Sequence, residues 1–341
     1  MAIYDIRGKD FISTQEWNRE ELEFAIDFAS DIKRWYYGGA LPELFKNKTF
    51  FMLFYNTSTR TRSSFEAAAT MLGGHAQFID FATTRGSEGE RIGDIARMYE
   101  RLGHALGVRI LENAVDYVYG AGDAIIREYA KHSKTPVINM ADDMFHPTQA
   151  LADMMVIKEK FQKRVEGKKY TIMWAYSDHL RSWGSIQDEM LIASKFGMDV
   201  TMAYPEGFDI DEKQVEAAKE NAEATGAHFE ISHDPKEALD GADIVFPRSW
   251  TSHACVTTGL TKFGKDKEVE AHNKHKDWIL NQELVDIMSK QSIITHVLPV
   301  LRGQEATDEV MDGPHSVILD QAENLLYARA SVLALLAGNS R

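Results

Sequence analysis

The stretch "FYNTSTRTRSSFEAAATMLGG", Phe54 to Gly74, sets Arg60 and Arg62 among small hydroxyl residues just before an apolar helical pattern. Guanidiniums this close repel each other unless an anion sits with them. A strand-to-helix turn is suited to hold one, because the free N–H groups and positive dipole end of the helix point at it. Ser58, Thr59 and Thr61 add donors, and Arg60 can fork onto two oxygens of one phosphate. A phosphate group is the expected anion. The turn is not a Walker-type loop, whose glycines and lysine are missing. A capped helix with two solvated arginines is the plain alternative.

Other fragments must supply the rest of the chemistry. "MFHPTQALADM" places His146 and Gln149 at the mouth of a helix that follows a strand, where ligands bind in open parallel sheets. Arg109, in "GVRIL", lies near the end of another strand, and "HVLPVLRG" offers Arg302 after a strand further on. Three decoys fall away. "YGAGDAI" has Gly120 and Gly122 but Ile125 where a dinucleotide fingerprint needs a glycine. His272 and His275 belong to no zinc pattern, so no metal is expected. Nothing selects one Ser–His–Asp set among many.

These residues need elements to carry them. "KTFFMLFY" is a continuous apolar run, as in a strand buried on both faces of a parallel sheet. The helix after the turn aligns Phe65, Ala68, Ala69 and Leu72, and Ser63 with Glu66 has capping-box spacing. Upstream, Trp17, Leu22, Ile26, Ala29 and Ile32 share a helical face that Gly38–Gly39 ends. "HALGVRIL" and "TPVINM" read as strands around a helix near "DAIIREYAKH". A long helix, "TQALADMMVIKEKFQ", then leads away. "YTIMWAY", "DVTMAYP", "HFEISH", "ADIVFP" and "SIITHVLP" continue as a second strand series, and "QAENLLYARASVLALLAG" closes the chain as a helix expected to pack on the first domain. The alternation predicts α/β architecture with two doubly wound parallel-sheet domains. The expected domains are 1–152 plus 316–341, and 153–315.

Composition fits this reading. The chain has 341 residues, room for two domains, and a formal charge of −14 that argues against nucleic-acid or membrane-surface partners. The single cysteine, Cys255, fits a reducing compartment. The opening "MAIYDIRGKDFIST" shows no signal-peptide run, and no stretch is long and apolar enough to span a membrane. A soluble, cytoplasmic protein is expected.

With STRTR, HPTQ and HxLP in this order, the chain resembles the aspartate/ornithine carbamoyltransferase superfamily over nearly its whole length. The resemblance implies a two-domain α/β homotrimer with shared active sites. It moves a carbamoyl group from carbamoyl phosphate to a small amine, releasing phosphate, without metal or organic cofactor. Ser58, Thr59, Arg60 and Thr61 would bind the phosphate. Arg109, His146 and Gln149 would hold the carbamoyl group, with Arg109, His146 and Thr61 directed at its carbonyl oxygen. Arg302 and the Leu298 carbonyl would complete the set, and Leu298–Pro299 is expected to be cis. The first domain would bind carbamoyl phosphate and the second the acceptor.

The acceptor signals are mixed. Ornithine enzymes carry HCLP and an aspartate shortly before SMG; here stand Val297 and, in "FPRSWTS", Arg248, Ser249 and Trp250. Aspartate enzymes hold a carboxylate with an arginine four residues before a serine, a spacing Arg181 and Ser185 reproduce in "DHLRSWGSI". The "TTRGSEGER" loop lacks the serine–lysine pair of aspartate enzymes and offers Arg85, a candidate donated in trans. "GADIVFPRSW", "HNKHKDW" and "YPEGFDI" look like the branch of acylated-ornithine and unassigned transcarbamylases. That branch carries a trefoil knot in its second domain, helped by a proline-rich loop; "AYSDHLRSWGS" has no proline and leaves the knot open. The expected acceptor is an amine bearing a carboxylate, held by Arg181 and Arg248. Val297 and Arg248 disfavour ornithine, which stands with aspartate, N-acylornithine and diamines among the alternatives. So does a silent carbamoyl-phosphate-binding homologue, whereas another phosphate-using enzyme such as a kinase or dehydrogenase would need a nucleotide fingerprint or metal carboxylates that the sequence does not show.

Overall fold

The structure, a computed structural model, describes residues 5–339. The expected first domain also includes 1–4 and 340–341, which lie outside the described residues. The chain forms two compact units. One comprises the chain up to Val115, Gly120–Met155 and the chain from Glu323 on; the other comprises Asp116–Tyr119 and Val156–Ala322.

In the first unit four parallel strands stand in the order β2-β1-β3-β4: β1 Thr49–Phe54, β2 His75–Asp80, β3 Ala105–Ile110 and β4 Val137–Asp142. Helices α1 (Arg19–Tyr37), α2 (Arg60–Met71), α3 (Ile92–Leu102) and α4 (Ala121–His132) accompany them, and α5 (Pro147–Lys160) crosses the division. The central strands are buried as their apolar runs require: Phe50, Met52, Leu53, Leu106 and Val108 are all at or below 1% exposure. Helix α1 starts on a reciprocal Asn18–Glu21 capping box and stops at Gly38. The closing helix, Ile318–Ala337, packs back on this unit: Ser331 Oγ donates to Ala25 O at 2.7 Å and Lys33 Nζ to Asn324 Oδ1 at 2.8 Å.

Two elements carry weak sequence signals, and the sequence reading names neither. β2 is an edge strand with exposed His75, Gln77 and Asp80, so it lacks a continuous apolar run. Helix α3 follows the polar "GSEGER" turn and buries only Ile95 and Ala96 fully. The Ser63–Glu66 capping box does not form. Helix α2 begins at Arg60, so Ser63 lies inside it, and Glu66 instead accepts from Arg62 Nε at 3.0 Å.

A β-bulge lies beside the carboxyl end of β3. Val108 pairs with Asn139 but Arg109 pairs with Ala141, leaving Met140 as the extra residue. Asn139 holds this irregular backbone: its Nδ2 donates to Ile12 O (2.9 Å) and Asp142 Oδ2 (2.8 Å), and its Oδ1 accepts from Ala141 N (3.0 Å).

The second unit has five parallel strands in the order β7-β6-β5-β8-β9: β5 Lys169–Trp174, β6 Asp199–Ala203, β7 Phe229–Ser232, β8 Ile244–Arg248 and β9 Ile293–Ile294. Helices α6 (Gly184–Lys195) and α7 (Glu212–Thr225) join them. β8 contains Pro247, yet β9 pairs only with Ile244 and Val245, so the missing N–H falls beyond that ladder. β9 is shorter than the expected "SIITHVLP" strand because the backbone turns away and Gln321 Oε1 takes the His296 N–H at 2.8 Å.

Asn139→Ala removes three buried hydrogen bonds at the bulge. We expect a loss of roughly 2–4 kcal/mol of stability, read as a lowered urea midpoint, with an unchanged far-ultraviolet spectrum.

Candidate active site

The first unit assembles its site at the carboxyl edge of the sheet. β1 delivers the turn Tyr55–Thr59, and Thr59 stands at the N-cap of α2 without any side-chain cap bond. The first amides of the helix are therefore not answered by a capping side chain, as an anion site requires. Thr61 is buried, Ser58 and Arg60 are half-buried, and Thr59 is exposed. Arg62 turns the other way. It pairs with Glu66 and stacks on the Phe78 ring, 3.9 Å from its centroid.

The bulge aims Arg109 at the same turn: its Nη1 donates to Thr61 Oγ1 at 3.2 Å and to Met140 O at 3.4 Å. Its Nε is sealed from solvent and has no hydrogen-bond partner among the described residues. Burial pushes this guanidinium down to about 10, Glu112 opposes the shift, and Arg60 adds to it. It stays cationic at neutral pH. His146 sits buried directly before Pro147, the first residue of α5, and its carbonyl accepts from Gln149 and Ala150. Asp142 shapes this approach by accepting from Met144 N (2.7 Å) and Phe145 N (2.5 Å). Gln149 donates its Nε2 to buried Asp153 Oδ1 at 2.7 Å, which leaves its amide oxygen turned away from that bond.

One residue of this site escaped the sequence reading. Arg329, on the closing helix, is 1% exposed and donates Nη1 to Arg60 O at 3.3 Å and to Ser64 Oγ. Burial lowers it to about 9, with Arg109 adding to the shift, Asp153 opposing it and Arg60 adding again. Its signal was a lone arginine inside the apolar run "ARASVLALLAG", which demands a polar partner. The discounted glycines have a structural use. Gly120 N donates to Asp143 Oδ2 at 2.6 Å, and a Cβ on Gly122 would meet Asp143 Oδ1 at 2.5 Å. The anion at the start of α4 is thus the protein's own carboxylate rather than a pyrophosphate.

The second unit brings Arg181 and Arg248 together on a buried carboxylate that the sequence reading missed. Glu305 Oε1 lies 3.5 Å from Arg248 Nη1 and 4.0 Å from Arg181 Nε, while Oε2 lies 3.5 Å from His296 Nε2. Burial disfavours ionised Glu305, but His296, Arg248 and Arg181 outweigh it and hold the carboxyl at about 2. No pattern in "RGQEATDE" announces this role. Ser249 is buried and donates its N–H to Glu305 at 3.2 Å. The Trp250 side chain lies in the core, 0% exposed, with Nε1 bonded to Phe208 O, so its indole is packing rather than an open contact. Ser185 is buried in the first turn of α6. Arg302 is partly exposed and grips Asp312 with both terminal nitrogens (2.8 and 2.6 Å), with Asp308 at 3.0 Å. Leu298–Pro299 is cis, as expected. Arg85 is exposed and pairs with Glu88.

An uncapped helix start with part-buried Arg109 on Thr61, at the carboxyl edge of a parallel sheet, is suited to hold an anionic group. Residues 9–159 match the family description "Aspartate/ornithine carbamoyltransferase, carbamoyl-P binding domain", and 166–336 match its "Asp/Orn binding domain". The chain belongs to the aspartate/ornithine carbamoyltransferase family. It is 36% identical over 338 residues to an ornithine carbamoyltransferase of Pyrococcus abyssi, covering 98% of each chain. An N-acetylornithine carbamoyltransferase of Xanthomonas campestris is 33% identical over 348 residues, 98% of this chain and 99% of that one. Among solved structures, an acetylornithine transcarbamylase complexed with acetylcitrulline superposes with a TM-score of 0.88 at 30% identity, covering 97% of this chain and 100% of that one. The ornithine carbamoyltransferase of Pyrococcus furiosus gives 0.86 at 33%, covering 99% and 100%. Among the described residues no helix is long and apolar enough to cross a membrane.

The depressed Glu305 carboxyl makes a sign-definite pH prediction. Its contribution is present above the ordinary value of 4.5 and is lost as pH falls toward 2. Wild type should exceed Glu305→Gln by about 3 kcal/mol in unfolding free energy near neutrality, the gap closing in acid. Urea unfolding of both proteins across this pH range checks it.

Proposed function

We propose that this carbamoyltransferase moves the carbamoyl group of carbamoyl phosphate to the amine of a small, carboxylate-bearing, amino-acid-like acceptor and releases phosphate. The observation that carries the reading is the Arg109–Thr61 contact at an α2 start without a side-chain cap, with Arg60 in the same turn. Ser58, Thr59, Arg60 and Thr61 bind the phosphate. Arg109, His146 and Thr61 face the carbonyl oxygen, where negative charge grows as the amine attacks. Each such donor contributes about 3 kcal/mol to the transition state. Gln149, its Nε2 held by Asp153, presents its oxygen to the carbamoyl amide.

The departing phosphate, already neutralised by Arg60 and the helix end, takes the proton from the amine, so no side-chain base is required. The family resemblance assigns the Leu298 carbonyl and Arg302 to the same substrate; Arg302 must then exchange Asp308 and Asp312 for it. Arg181 and Arg248 hold the acceptor carboxylate, with Ser185 and Ser249 beside them in sequence. The enzyme works as a cytoplasmic homotrimer in which Arg85, exposed and paired with its neighbour Glu88, serves an adjacent subunit.

Arg109→Met should lower kcat by about 10²–10³-fold with a smaller change in the KM for carbamoyl phosphate, measured as phosphate release. A panel of amino acids and diamines tests the acceptor class: turnover with putrescine and with no carboxylated amine rules out the carboxylate assignment. A silent binding homologue would give a calorimetric signal with carbamoyl phosphate and no carbamoylated product with any amine.

A further inference from the structure

Segment Asp116–Tyr119 belongs to the second unit, although the chain on either side of it belongs to the first. Its first two residues take left-handed backbone, Asp116 at φ 52° and Tyr117 at φ 59°. Aspartate tolerates that region, whereas a bulky tyrosine enters it only where the surroundings impose it. Here they do. The Asp116 carboxylate accepts from Thr261 N at 3.1 Å and from Thr261 Oγ1 at 2.6 Å, and Asp116 O accepts from Leu260 N at 2.8 Å. This backbone carries the Tyr117 hydroxyl to Leu180 O, to which it donates at 3.2 Å. The next carbonyl, Arg181 O, accepts twice from Thr251, from N at 2.9 Å and from Oγ1 at 2.7 Å. Thr251 is 0% exposed, and its own carbonyl takes the Trp183 indole N–H at 2.8 Å. It is fixed from behind as well, because Ser252 N and Oγ donate to the buried Glu268 carboxylate at 2.6 and 2.5 Å. Residues 175–183 form no helix or strand, so the place of Arg181 depends on bonds of this kind rather than on a regular ladder.

We propose that Thr251 and Tyr117 are positioning residues for the acceptor: by holding two consecutive carbonyls they fix the main chain from which Arg181 reaches the acceptor carboxylate, and so set how tightly the acceptor binds. This deepens the carbamoyltransferase reading above and rests on its assignment of Arg181. Both residues act through Arg181 rather than on the substrate. A loop released from these bonds samples several conformations, and apparent affinity falls with the fraction that stays competent. Arg181 holds the non-reacting end, so the loss falls on KM and leaves kcat nearly untouched.

The test combines two variants with two readouts. Thr251→Val removes the Oγ1 bond and keeps the main-chain one, and Tyr117→Phe removes the hydroxyl and keeps the ring. Each should speed amide hydrogen exchange over residues 178–182 of the ligand-free protein by about three- to tenfold. Initial rates are then taken with L-aspartate, N-acetyl-L-ornithine, L-ornithine and putrescine. For whichever carboxylated amine is carbamoylated, KM should rise by a similar factor, with kcat within about twofold and the KM for carbamoyl phosphate unchanged. Thr251→Ser keeps the hydroxyl and should restore the wild-type values. Unchanged exchange in both variants overturns the positioning role. So does a fall in kcat with the acceptor KM unmoved or, where Thr251→Val fails to fold, a wild-type acceptor KM in Tyr117→Phe. Faster exchange with no change in the KM of any carboxylated amine also overturns the proposal, on the side of its link to the acceptor. Turnover of putrescine alone, or product from none of the amines, is a different failure: it removes the acceptor assignment or the carbamoyltransferase reading itself, and this inference with it.

Discussion

Three guanidiniums gather around the start of α2, and the first unit is arranged to tolerate their mutual repulsion. Arg60 lowers the proton affinity of Arg109, and Arg109 and Arg60 together lower that of Arg329, in each case beyond the larger effect of burial. Glu112 and Asp153 oppose this repulsion only in part. Such an arrangement is poor for stability taken alone. A doubly charged anion at this turn would convert the repulsion into attraction. The bulge in β4, the uncapped helix and the Asn139 network all serve this one electrostatic demand.

The second unit solves a similar problem differently. Glu305 supplies an internal counter-charge, with its oxygens further occupied by main-chain N–H groups, so Arg181 and Arg248 are fixed before any ligand arrives. A pair held in this way has little side-chain freedom left to lose. The two arginine groups therefore differ in kind.

What the sequence revealed follows from how local each signal is. Buried parallel strands announce themselves as apolar runs, so β1, β3, β4, β5 and β8 were legible, and the STRTR and HPTQ motifs marked the starts of α2 and α5. Edge strand β2 was not, because half its residues face water. Arg329 and Glu305 were missed for another reason. Their partners lie far along the chain or in irregular loops, so nothing near them in sequence states whom they meet. Arg62 shows the converse error: its place in the turn suggested an anion, and its packing on Phe78 sends it elsewhere.

The dependence of the turn before α2 on the helix Ile318–Ala337 has a consequence for biosynthesis. Arg329 reaches Ser64 across 265 residues of chain. A nascent polypeptide can complete its sheet and expose the turn long before that helix leaves the ribosome. The turn then lacks its innermost arginine until that helix docks, so its local geometry depends on a segment made much later.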